Sequence, residues 1–155
     1  MYLKKTYLKI IKFQILFIRQ RKKLEKQKDQ VTLIKAVSIA LEYIDLKLTI
    51  IGNGYEYNHL VKLINKYGIK KNVKILKNIT NPKPFYLKHD LFVLTSIYEG
   101  FPNVISESLS MNLQVIASNC KSGVSELLMS SKGPNIFSVG NHQELAKKII
   151  NHYRN

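Results

Sequence analysis

A chain of 155 residues, 45% of them hydrophobic, can bury the core of one ordinary domain, and that composition excludes a disordered chain. A single cysteine, Cys120, excludes a disulfide framework and a four-cysteine zinc site, and it fits a reducing compartment. The net charge of +15 favours anionic partners, yet it is unevenly placed: residues 1–28 carry ten Lys or Arg against one acid, Glu25.

Residues 1–23 are basic and apolar together. Leu3, Tyr7, Ile10 and Phe17 approximate a helical face, while "FQILFI", Phe13–Ile18, reads equally well as a short buried strand. That run falls far short of the ~20 apolar residues a membrane-spanning helix needs, and it lacks the cleavage site of a secretory signal. The segment is therefore either the first strand of a sheet or a basic helix on a membrane surface. Asp29 then caps an amphipathic helix in "DQVTLIKAVSIALEYI". A β-branched run, "LKLTIIG", predicts a strand ending in Gly52, and "YEYNHLVKLINKYG" predicts a helix closed by Gly68.

Next come a short strand "VKIL", a short helix opened by the prolines of "NPKPFYLKH", and a continuous apolar strand "LFVLTS". The remaining elements are a helix "NVISESLSM", a strand "LQVIAS", a helix starting at "SGVSELL", a strand "NIFSV" and a final helix capped by Asn141. Strands alternate with helices, and several strands are apolar on both faces. That pattern predicts a doubly wound, Rossmann-like α/β domain with a parallel sheet. Ligands of such sheets bind at the carboxyl ends of the strands, where helix N-termini point outward.

"SIYEGFPNVISESLS", residues 96–110, falls at such an edge. Glu99 and Gly100 follow an apolar strand, Asn103 stands at the start of the next helix, and Glu107 lies about one turn in. The amides of Asn103 and Val104 suit an anion, and Gly100 permits close backbone approach. Two carboxylates beside an anion site suit hydroxyl groups carried by that anion. A phosphate at the amides with sugar hydroxyls at Glu99 and Glu107 describes a nucleotide-sugar. A capped helix with solvent-facing glutamates is the plainer alternative.

Three ordered pieces decide between them: "LEKQKD" with "LIKA", then "LTIIGNGYEYNHL", then "NPKPFYLKHDLFVLTSIYEGFPNVISESLSMNLQVIASNCKSGVSELL". Over about residues 24–150 the chain resembles the C-terminal, donor-binding half of family-4 retaining glycosyltransferases, the large group-1 family with the two-domain B-type fold. The resemblance implies that Glu99 contacts the donor hexose and Glu107 the ribose. The amides of Asn103 and Val104 would hold the diphosphate, and Gly52, Gly54, Gly100 and Phe101 would lie near the donor. Lys28 matches a lysine that balances phosphate charge as the nucleotide leaves. No metal is implied, because basic side chains and a helix end do that work.

The chain departs from the family in two ways. Lys22-Lys23 replaces a Gly-Arg pair, so Lys23 supplies charge without arginine's bidentate fork, and Arg21 is a candidate substitute. The acceptor-binding domain is missing, and residues 1–23 are too short to replace it. The expected division is a basic N-terminal segment, 1–23, and a nucleotide-sugar-binding domain, 24–155. The expected protein is a hexosyltransferase half acting in lipid-linked or surface polysaccharide synthesis. It would be cytoplasmic, with weak attachment to anionic membrane at its inner face, and would gain activity from a separate N-terminal half.

A non-catalytic binding remnant is the alternative. Nucleic acid is not an expected partner, since the charge clusters in one tail and no RNA-binding motif appears. His59, His89, His142 and His152 lack metal spacing and are expected at surfaces or interfaces. Cys120 reads as a packed thiol. Tyr86, Tyr98 and Phe101 are candidates for stacking on a base or sugar, with packing at core or rim as an equal alternative.

Overall fold

The computed structural model describes residues 13–23, 26–121, 124, 128 and 135–155; Gly123 and Glu126 of the expected "SG…E" turn lie outside them. The described strands are β1 (Phe13–Lys23), β2 (Leu46–Asn53), β3 (Val73–Leu76), β4 (Leu91–Leu94), β5 (Gln114–Ser118) and β6 (Ile136–Phe137). They form one parallel sheet in the order β3-β2-β1-β4-β5-β6. The helices with described bounds are α1 (Gln30–Ala40), α2 (Tyr57–Lys66), α3 (Lys83–Lys88), α4 (Asn103–Ser110) and α5 (His142–Arg154). This is the doubly wound, Rossmann-like fold the apolar strands predict.

Of the segment 1–23, residues 13–23 form a strand, while Leu3, Tyr7 and Ile10 of the alternative helical face lie outside the described residues. β1 lies in the middle of the sheet, with Ile15 opposite Leu48 of β2 on one side and Leu91 of β4 on the other. Strand neighbours reverse direction in sequence at β1 and β4, so the crevice between their carboxyl ends is the switch point of the fold.

Successive side chains on a strand point to opposite faces, and the two faces build two cores. Phe13, Ile15 and Phe17 of β1 pack with Leu48, Ile50, Val93 and the helices α1, α2 and α5. Leu16 of β1 joins Phe92, Leu94, Val115 and Ile105 of α4 on the other face. Buried Thr49 lies on β2, and its hydroxyl is 3.0 Å from Nε2 of His89. His89 is thus half-buried rather than a surface residue, with Nδ1 2.6 Å from the Phe85 carbonyl oxygen. Burial pushes the His89 pKa below its ordinary value. The N-caps fit expectation: Asp29 accepts from the Thr32 amide and Asn141 from the Glu144 amide.

Candidate functional site

A short 3₁₀ turn, Lys26–Lys28, follows β1 and crosses the switch point. Three hydrogen bonds clamp it onto the chain leaving β4. The Ile97 amide donates to the Gln27 carbonyl at 2.8 Å, Gln27 Nε2 donates to the Tyr98 carbonyl at 2.7 Å, and the Thr95 hydroxyl donates to the Lys28 carbonyl at 2.7 Å. The clamp delivers Lys28 Nζ to Glu99 Oε1. Ser96 donates its hydroxyl to the same carboxylate oxygen, and its own carbonyl is held by the buried Ser118 hydroxyl. The Lys28 and Glu99 side chains keep only 15% and 10% of their exposure, so each charge depends on the other in place of water.

Asp29 sets where this lysine stands. Its backbone is left-handed (φ 46°), and its carboxylate accepts from the Thr32 amide at 3.2 Å and the Thr32 hydroxyl at 2.6 Å. Aspartate is among the few side chains that tolerate that backbone region. Asp29→Ala removes the cap and is expected to lower stability by about 1–2 kcal/mol, whereas Asp29→Gly, at ease with positive φ, is expected to cost a few tenths. Urea denaturation of both variants checks this; equal losses would contradict the account.

The second carboxylate is held separately. Glu107 Oε2 accepts from the Tyr86 hydroxyl at 3.0 Å. Tyr86 is 2% exposed, so it is a core residue rather than a stacking face. Burial, and after it the Glu107 carboxylate, push the phenol pKa well above its usual value, and the hydroxyl stays a donor. Residues 86 and 107 are far apart in sequence, and no local pattern announces the bond.

At the start of α4 the two expected amides differ. Asn103 N–H folds back onto the Phe101 carbonyl at 3.0 Å, and the Ile105 amide donates to the Pro102 carbonyl at 2.9 Å. Among the described residues no protein acceptor meets the Val104 N–H. A Cβ built on Gly100 would meet no atom within 4 Å, so the space over this turn is open. Phe101 and Tyr98 stand exposed beside it.

Gly52 and Gly54 belong to a neighbouring group. Gly52 is buried in β2, while Gly54 has φ 140°, a conformation that side-chain-bearing residues rarely adopt. Between them Asn53 exchanges two bonds with Asn78 after β3: its amide donates to Asn78 Oδ1 at 2.8 Å, and the Asn78 backbone amide donates back at 3.1 Å. Lys77 Nζ sits 3.3 Å over the Tyr57 ring. Sequence reasoning missed Lys77 and Asn78, whose only signal is a polar pair directly after a strand. Lys23 ends β1 in register with Asn53, so its backbone reaches the same edge.

Every expected site residue thus lies at the carboxyl edge. The structure bonds Lys28 to Glu99, and it sets Glu107 with Tyr86. A cavity of about 460 Å³ lined by Leu41, Tyr43, Ile44, Asp45, Ile69 and Asn72 lies at the opposite, amino edge, away from all of them. Among the described residues no three His, Cys, Asp or Glu gather as a metal site would require, and no helix is long and apolar enough to cross a membrane.

Known proteins share the fold and much of the sequence. Residues 12–155 match the family described as Glycosyl transferases group 1. The chain is 40% identical, over 81% of its length, to an uncharacterized glycosyltransferase of Methanocaldococcus jannaschii. It is 36% identical, over 72% of its length, to the N-acetylgalactosamine-N,N'-diacetylbacillosaminyl-diphospho-undecaprenol 4-alpha-N-acetylgalactosaminyltransferase of Campylobacter jejuni. It spans 31% and 30% of those two proteins. Among solved structures, S. aureus TarM superimposes with a TM-score of 0.85 at 23% identity, covering 93% of this chain and 29% of TarM. Anabaena HepE gives 0.81 at 23% identity, covering 93% of this chain and 39% of HepE. With a match running from β1 through α5 and a fold to agree with it, the chain belongs to the group 1 glycosyltransferases.

Proposed function

We propose that this domain binds a nucleotide-sugar and forms the donor-binding half of a retaining hexosyltransferase that works in lipid-linked or surface polysaccharide synthesis. The Lys28–Glu99 pair at the switch point carries the proposal. It sets a cation for a diphosphate directly beside a carboxylate for sugar hydroxyls, in a partly desolvated crevice where both interactions are strong. Two neighbours agree in kind, the TarM structure containing UDP and the HepE structure UDP and glucose. The Campylobacter relative is named for transfer to a diphospho-undecaprenol-linked glycan.

In this reading Glu99 holds the hexose and Glu107 the ribose. The amides of Asn103 and Val104 hold the diphosphate, and the Asn103 amide must first turn away from the Phe101 carbonyl. Gly52, Gly54, Gly100 and Phe101 border the donor. As the bond from the anomeric carbon to the phosphate oxygen breaks, negative charge grows on the departing diphosphate. Lys28, Lys23 and the N-terminus of α4 neutralise it without a metal. The new bond forms from the anomeric carbon to an acceptor hydroxyl oxygen, held by an acceptor-binding half, and the hydroxyl proton passes to the departing diphosphate.

Calorimetric titration with a panel of nucleotide-sugars and nucleoside diphosphates tests the proposal. At least one pair is expected to bind, and Glu107→Gln is expected to weaken nucleotide and nucleotide-sugar alike by about tenfold or more. An absence of binding to every donor at millimolar concentration overturns the site assignment.

A further inference from the structure

We infer that Tyr86 is a positioning residue for nucleotide recognition: its buried hydroxyl, 3.0 Å from Glu107 Oε2, holds that carboxylate in the orientation that receives the ribose. The inference rests on the assignment of Glu107 to the ribose.

The geometry is specific. Tyr86 is the buried residue of the short helix α3, and its ring packs on Phe92 of β4 with centroids 6.2 Å apart. Phe92 is fully buried, so the ring has little room to move. A phenol fixed by its ring carries its hydroxyl on a rigid lever. A glutamate on a helix, by contrast, has three side-chain torsions to order before it can receive a ligand. The bond joins the rigid group to the flexible one across two elements. The ordering is then done before the nucleotide arrives, and binding need not supply it.

A buried tyrosine hydroxyl needs an acceptor, and a backbone carbonyl would meet that need. Here the acceptor is instead one of the two carboxylates of the ligand edge. The Ser108 hydroxyl, bonded to the Val104 carbonyl at 2.6 Å, lies buried on the same helix and keeps that turn of α4 in place.

The test compares the tightest-binding nucleoside diphosphate from a five-base panel with its 2′,3′-dideoxy counterpart. Titrations use the wild-type chain, Tyr86→Phe, Glu107→Gln and the double variant, with thermal unfolding confirming that the phenylalanine ring keeps the core. Tyr86→Phe is expected to weaken the ribose-bearing nucleotide about fivefold to tenfold and the dideoxy nucleotide by less than about twofold. It is expected to add no further loss to Glu107→Gln, because it acts through that carboxylate. Equal weakening of both nucleotides would make Tyr86 a support of the core alone and overturn the inference, as would no weakening of either. If Glu107→Gln itself fails to distinguish the two nucleotides, the ribose assignment falls and the inference with it. If only Tyr86→Phe fails to, the assignment stands and the inference does not.

Discussion

Glu99→Gln is expected to weaken binding of the nucleotide-sugar about tenfold to a hundredfold while strengthening binding of the bare nucleoside diphosphate by about threefold or more. The opposite signs follow from the ion pair. In the free protein the Lys28 ammonium is already neutralised by Glu99, and both side chains are largely shielded from water. A diphosphate bound as proposed would draw Lys28 away and leave the carboxylate with the Ser96 hydroxyl as its remaining described partner. A carboxylate in so little water is unfavourable unless new donors reach it. Sugar hydroxyls are such donors, so in the proposed binding mode the full donor would satisfy both halves of the pair and the bare nucleotide only one.

In that mode, replacing the carboxylate by an amide would free the lysine for phosphate and remove the acceptor that favours sugar. The discrimination between the two ligands is expected to shrink by roughly two orders of magnitude, the product of the two changes. Titration of both ligands against Glu99→Gln reads it directly. Weakening of both ligands to the same degree would show that Glu99 and Lys28 do not exchange partners. Lys28→Met gives the converse, with both ligands weakened together.

Phe17→Ala is expected to reduce folding stability by about 3–5 kcal/mol, a large share of the roughly 5–15 kcal/mol that holds a domain of this kind together. Phe17 is fully buried on the central strand, opposite Ile50 of β2, in the core shared with α1, α2 and α5. Neighbours anchored in two sheet strands and three helices cannot collapse into the void, so transfer and cavity terms add. Leu87→Ala serves as the control: Leu87 lies on α3 with 67% of its surface exposed. Its loss is expected to stay within about 0.5 kcal/mol. Equal losses in denaturant titrations would remove β1 from the middle of the sheet.

Residues 13–23 show why part of the fold was hard to read. A strand buried on both faces has no polar–apolar alternation, and Leu3, Tyr7, Ile10 and Phe17 fall at spacings that also approximate a helical face. β2, β3, β4 and β5 were legible because turn residues bound each apolar run, and α1 and α5 because a cap precedes each. The strand expected over "LFVLTS" ends at Leu94, since Thr95 and Ser96 turn their hydroxyls to the Lys28 carbonyl and the Glu99 carboxylate.

The site was legible as a set of residues but not as a set of bonds. Lys28 and Glu99 were expected to face different parts of one donor, and that they hold each other lies in a contact across 71 positions. The same holds for Tyr86 and Glu107, joined across 21. Pairings of that range depend on the order of strands in the sheet, which spacing along the chain does not encode.

The Phe13 ring at the start of β1 lies 5.8 Å from the His152 ring and 5.6 Å from the Tyr153 ring at the end of α5. α5 also packs along α1, so the first described strand and the last helix close on one another at the amino edge. The opposite edge, with Lys28 and Glu99, is made of connections internal to the chain. Circular permutation should therefore be tolerated. A short linker from Asn155 back to Phe13, with new ends opened in the turn after Gly68, would leave every strand's neighbours and both carboxylates where they are. A domain fused at position 155 would likewise emerge on the side away from Lys28 and Glu99.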